Sequence, residues 1–242
     1  MCEVEKREKD TRLLKRVKII FLFLGGAFLF ISLMGVSNGI KYLIRYFSYG
    51  KGELDWSEVE WLMEFLSFSV CGIAYIIQII RTQPKNNETR KAFTLRLVLI
   101  LGFYIGIVVA LQYWIWEIDC IVLLSSIIKY NGSMRNERMY REISYGISYM
   151  FSALTALAFS FDIKSILNSY KNVPANENGN ILAMLRSKKY IFLATFAAAA
   201  LFFMAVPFTY DGVRYAIGFE IAGCIALIIS IVFRRREKKH IR

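Results

Sequence analysis

The chain has 242 residues, 56% of them hydrophobic, and 31 Lys and Arg against 19 Asp and Glu give it a net charge of +12. Soluble domains are usually about 45–50% apolar, and no polar stretch here exceeds about 27 residues, so a separate soluble catalytic domain is excluded. The basic residues are scattered over several segments without interleaved aromatics, which argues against nucleic acid as a partner.

The apolar residues fall in six runs at 17–36, 58–80, 92–116, 143–162, 190–207 and 213–233. About 20 apolar residues match the roughly 30 Å hydrocarbon core of a bilayer. Helix is the conformation expected, because lipid offers no partner to an unpaired backbone group. The expectation is an all-α integral membrane protein: one transmembrane domain over 1–242, a bundle of six transmembrane helices with both termini cytoplasmic.

Span 1 follows the basic segment "KREKDTRLLKRVK" but is too long for a secretory h-region and lacks a small-residue cleavage site, so it reads as an uncleaved span. It carries Gly25, Ser32 and Gly39 seven residues apart, with Gly35 nearby. Small residues so spaced let a second helix approach closely, within the chain or in a homo-oligomer. Span 2 places Glu60, Glu64, Ser67, Cys71, Tyr75 and Gln78 on one face. Such a face turns to the bundle interior or to water, either as a hydrogen-bonded seam or as a hydrated path. Span 3 has the small series Gly102, Gly106 and Ala110. Beyond it, "IVLLSSII" at 121–128 is too short to cross alone; it extends span 3, lies in the interface or re-enters.

Span 4 repeats the polar stripe with Ser148, Ser152, Thr155 and Asp162. The segment "NVPANENGN" at 172–180 has linker composition, and "ILAMLRSKKY" after it suits a short interfacial helix. Span 5 contains the close-packing "AAAA" at 197–200 and Pro207, which is expected to bend or end the helix. Span 6 holds one carboxylate, Glu220, with Ala216 and Gly223 leaving space on its face.

Lys and Arg beside spans favour the cytoplasmic side. With the N-terminus inside, 23 of the 31 basic residues fall on inner segments. Trp56, Trp61, Trp114 and Trp116 then sit at outer span ends, where an apolar ring with a polar N–H is most at ease. The same inner charges favour anionic inner-leaflet lipids as partners. The location implied is a cytoplasmic (plasma) membrane, and frequent Lys, Ile and Asn suit an AT-rich bacterial genome. Cys2, Cys71, Cys120 and Cys224 are placed so that no pair shares an oxidising compartment, and no disulfide is expected.

Spans 2 and 6 run the same way, which puts Glu64 and Glu220 at similar depth, on the order of 10 Å below the outer ends. An ionised carboxylate there costs roughly a few kcal/mol unless it is paired or hydrated. The candidate binding residues are therefore Glu64 and Glu220, with Lys41, Arg45, Gln112, Ser67 and Gln78 as neighbours. No cofactor or metal is expected: His240 is the lone histidine, and neither a CxxC pair nor a Gly-rich phosphate loop is present. "YDG" at 210–212 shares a Tyr-Asp pair with intramembrane aspartyl proteases but lacks the GxGD partner. No HExxH or GxSG motif occurs either, so no enzyme activity is assigned. Two functions remain. One is a transport component, whether channel, small transporter or permease subunit. The other is a non-transporting sensor, immunity or defence factor, or assembly partner that binds another protein or its own copies.

Overall fold

A computed structural model describes residues 3–49, 56–85, 88–129, 135–172, 181–211 and 213–240. The described residues form seven helices and no strand: α1 Glu3–Tyr49, α2 Trp56–Arg81, α3 Arg90–Lys129, α4 Arg135–Asn172, α5 Ile181–Ser187, α6 Lys189–Asp211 and α7 Val213–His240. All but α5 contain a stretch long and apolar enough to cross a membrane. Cys2, the linker at 173–180, Gly52, Ser133 and Gly212 lie outside the described residues.

The helices outrun the apolar stretches that define them. The 47 residues of α1 correspond to about 70 Å of helix, more than twice the hydrocarbon thickness. The open choice at 121–128 resolves as helix, since α3 continues to Lys129. No Gly or Pro interrupts that run, and Ser125 and Ser126 return their hydroxyls to the Val122 carbonyl, which keeps their polarity inside the helix. Nor does Pro207 end α6. The helix passes through it to Asp211, because a proline in the last turn forfeits little more than one backbone bond.

The surface is that of a protein in an apolar solvent. Phe23, Phe30, Phe47, Phe196 and Ile228 are all more than half exposed, while Ser148, Ser152, Thr155 and Ser230 are fully buried. Water would favour the reverse. With six long apolar helices, this polarity identifies a multi-pass membrane protein.

The described chain forms two compact units, Met1–Val108 with Ile163–Arg186 and Val109–Asp162 with Ser187–Arg242, and α3 and α4 each contribute to both. In the first unit α1 and α2 form an antiparallel hairpin, and its glycines explain the fit. A Cβ on Gly25 would lie 2.6 Å from the Tyr75 ring and one on Gly39 2.8 Å from Leu62, while one on Gly35 would run into the ring of Phe65. The small-residue series of span 1 thus packs within the chain. The Tyr75 hydroxyl donates to the Phe21 carbonyl at 3.1 Å, and Tyr104 of α3 donates to Gln78 Oε1 at 2.8 Å. Around them Val17, Phe21, Ile79, Phe93, Leu97 and Ile100 make an apolar core.

In the second unit α6 and α7 form another antiparallel hairpin, with Tyr190 stacked on Phe233 near one end and Phe208 on Phe219 near the other. Between them Ala198, Phe202 and Ala226 are buried against Phe151 of α4.

Gly35→Leu is expected to lower stability by about 1–3 kcal/mol through overpacking of the α1–α2 hairpin. Gly26→Leu, where a side chain meets open space, is expected to leave it unchanged. Reversible unfolding in mixed micelles measures both, and equal losses would show that the glycine contacts do not set the hairpin.

Candidate functional site

The stripe predicted on span 4 extends one turn further back, to Ser144. Ser144, Ser148, Ser152 and Thr155 are buried on α4, and Asp162 is buried at the same helix's far end of the stripe. These side chains are short and carry hydroxyls. Buried hydroxyls in lipid favour an acceptor: Thr155 finds one in the Ser152 carbonyl of its own helix, and Ser144 and Ser148 find one on α7. Ser144 Oγ and Ser148 Oγ both donate to Glu220 Oε1, at 2.8 and 3.0 Å. Two hydroxyl donors on one oxygen hold the carboxyl in place and spread its charge, which replaces part of what water would supply.

A second bond ties the same helices. Arg234 Nη2 donates to Asp162 Oδ2 at 2.6 Å in a largely buried ion pair. Ser148 with Glu220 and Asp162 with Arg234 share one sequence offset, 72 residues. The contacts therefore step 14 residues along both chains in the same direction. Helices α4 and α7 run parallel, joined at two points about 21 Å apart.

The space expected beside Glu220 is taken. A Cβ on Gly223 would lie 2.9 Å from the ring of Phe202, and Phe202 is itself fully buried. Gly223 admits an aromatic ring from α6 rather than a ligand, because the hairpin is close enough to use the missing side chain. Ala216, on the other side, is also fully buried.

The remaining candidates lie as follows. Gln112 is half-buried on the part of α3 in the second unit. Glu64, Ser67 and Gln78 are half-buried on α2 in the first unit, and Lys41 and Arg45 are exposed on α1. Ser67 Oγ donates to the Glu64 carbonyl at 2.7 Å, and Gln78 is held by Tyr104. With Tyr75 bonded to Phe21, the lower part of the span 2 stripe is a hydrogen-bonded seam. Sequence reasoning missed Ser144, although it stands four residues before Ser148, and missed Arg234, read only as an orienting charge.

Comparison with protein-family models, with curated proteins and with solved structures finds no match.

If the two serines hold Glu220, Ser144→Ala with Ser148→Ala is expected to cost about 1–3 kcal/mol by leaving a buried acceptor unsatisfied. Adding Glu220→Leu should restore much of the loss, since removing both sides of a buried bond is far milder. A double-mutant cycle in mixed micelles reads the coupling, and strictly additive losses would separate the serines from Glu220.

Proposed function

We propose that the chain is a transport component of a cytoplasmic membrane, a channel, small transporter or permease subunit, with both termini cytoplasmic. The supporting observation is Glu220, a carboxylate buried in an otherwise lipid-compatible helix and held by hydroxyls rather than by a cation. Acids kept at membrane depth at such cost commonly serve ion or solute pathways. In this topology Glu220 lies in the outer half of the bundle, and the Asp162–Arg234 pair marks the inner boundary. Trp61 and Trp114, both largely exposed, then stand at the outer interface, and the Arg- and Lys-rich end of α7 stands inside.

The functional step assigned to Glu220 is exchange of its serine contacts for a transported cation or proton. The hydroxyls of Ser152 and Thr155 continue the same face of α4 and offer further oxygens. A second reading, a non-transporting sensor, defence factor or assembly partner, is favoured by the complete burial of Ser148, Ser152, Thr155 and Ser230, a packing that needs no solute.

Reporters active only outside the membrane are expected to work when fused near Gly52, Ser133 and Gly212 and to stay silent after Asn87, Asn178 and Arg242. Activity after Arg242 would overturn the orientation.

Proteoliposomes carrying the chain are expected to give currents on a supported membrane for at least one class among protons, alkali cations, amino acids and sugars. Glu220→Gln should reduce that current on the order of tenfold or more, the worth of one hydrogen bond to a charged group. Its melting temperature should be little changed. A wild-type chain silent to every class would favour the second reading.

A further inference from the structure

A separate feature lies in the first unit, where α2 ends, α3 begins and α4 ends. There a cavity of about 740 Å³ is bounded by four basic residues, Arg81, Lys85, Arg96 and Lys171, with Gln78 and Asn168. Ile77, Ile100 and Leu167 add apolar lining. No acidic side chain lines it.

Among the described residues the acid close by, Glu88, is already committed. Glu88 Oε2 pairs with Arg96 Nη2 at 3.0 Å and accepts the Lys85 backbone N–H at 2.9 Å, and its Oε1 accepts the Tyr170 hydroxyl at 3.0 Å. Its side chain is fully buried. Glu88 thus offsets Arg96, while Arg81 and Lys171 keep their charge at the exposed edge of the cavity. The wall is also fixed in advance. Lys85 Nζ donates to the carbonyls of Tyr170 and Lys171 and lies 4.6 Å from the centre of the Tyr170 ring. Arg96 Nη2 donates to the Gln83 carbonyl at 2.6 Å. Capping of helix C-termini accounts for Lys85. Arg81 and Lys171 also stand in the last turns of α2 and α4, where a cation suits the helix end, and both are exposed on the same cavity.

Cations beside apolar side chains in one cavity, at the edge of the apolar runs of α2 and α3, match one ligand chemistry: a phosphate attached to a hydrocarbon. We infer that the cavity binds the headgroup phosphate of an anionic phosphoglyceride, with the first acyl carbons on Ile77, Ile100 and Leu167. A soluble phosphate would use the cations and leave the apolar lining unused. Basic recesses between membrane helices suit such headgroups in general, and the inference does not rest on the transport reading.

The test uses the full chain, purified and titrated with short-chain phosphatidylglycerol, phosphatidylcholine, glycerol phosphate or inorganic phosphate, and read by thermal shift and native mass spectrometry. Phosphatidylglycerol is expected to bind in preference to phosphatidylcholine and to both soluble phosphates. R81Q/K171Q should weaken that binding about thirtyfold, from two lost cations near the phosphate. The control R90Q/K91Q removes two exposed charges that do not line the cavity and should change binding less than about threefold by the same reckoning. Both doubles should melt like the parent without lipid, since the Lys171 carbonyl that receives Lys85 is backbone. The site is overturned if the two doubles weaken binding equally, or if anionic lipid is not preferred. Soluble phosphate binding as tightly as the lipid would overturn the lipid assignment.

Discussion

Hydrocarbon offers no hydrogen bonds, and most of this structure answers that constraint. The backbone meets it by being helical. Side chains meet it by sorting the opposite way from a protein in water, with phenylalanine and isoleucine outward and serine, threonine and carboxylates inward. Isolated serines return their hydroxyls to their own helix, as Ser32 does to Phe28 and Leu29, Ser69 to Phe65 and Ser160 to Ala156. Groups that cannot be silenced locally, such as Glu220, Asp162 and the Tyr75 hydroxyl, reach across to another helix, and Glu220 draws Ser144 and Ser148 to it. Because a group unsatisfied in lipid costs several kcal/mol, those few cross-links specify which helices meet and in which register.

The pairing of α4 with α7 follows from this. Two parallel helices whose contacts repeat after 14 residues come back to nearly the same face, short of full turns by about 40°. At one end the donors are short serines and the acceptor a longer glutamate. At the other, a long arginine reaches a short aspartate. Each junction sums one short and one long side chain, so the two helices keep a similar separation at both. Glycine performs the matching task where no polar group is involved. Phe202 fits beside Gly223, as Tyr75 does beside Gly25. Aromatic rings entering glycine gaps fix register as firmly as a hydrogen bond would, since the ring has one place to go.

Charge in this protein serves two ends that composition alone merges. Some basic side chains are consumed by the fold: Lys18 on the Ile80 carbonyl, Lys85 on the end of α4, Arg96 on Glu88 and Arg234 on Asp162. Others, such as Arg81 and Lys171, stay at the surface of a recess. A net charge of +12 already counts the acid–base pairs as neutral, wherever they sit. It hides where the positive field concentrates, which depends on whether an acid such as Glu88 folds back onto its neighbours.

Helix class and the six apolar stretches were legible from residue order, because run length against bilayer thickness is a one-dimensional property. The buried stripe of span 4 was legible for the same reason, since 3.6-residue periodicity fixes which side chains share a face. Partners were not legible. Which face of α7 meets α4 depends on how each helix is rotated about its own axis, and nothing in the spacing of Glu220, Ala216 and Gly223 says that Ser144 stands opposite or that Phe202 fills the gap. Likewise the run at 121–128 has the same composition as a helix continuation or an interfacial segment, and only the unbroken backbone of α3 decided between them. Sequence fixes the periodicity of a helix and the length it can span; rotation, register and the filling of a glycine's empty side emerge only when several helices compete for the same space.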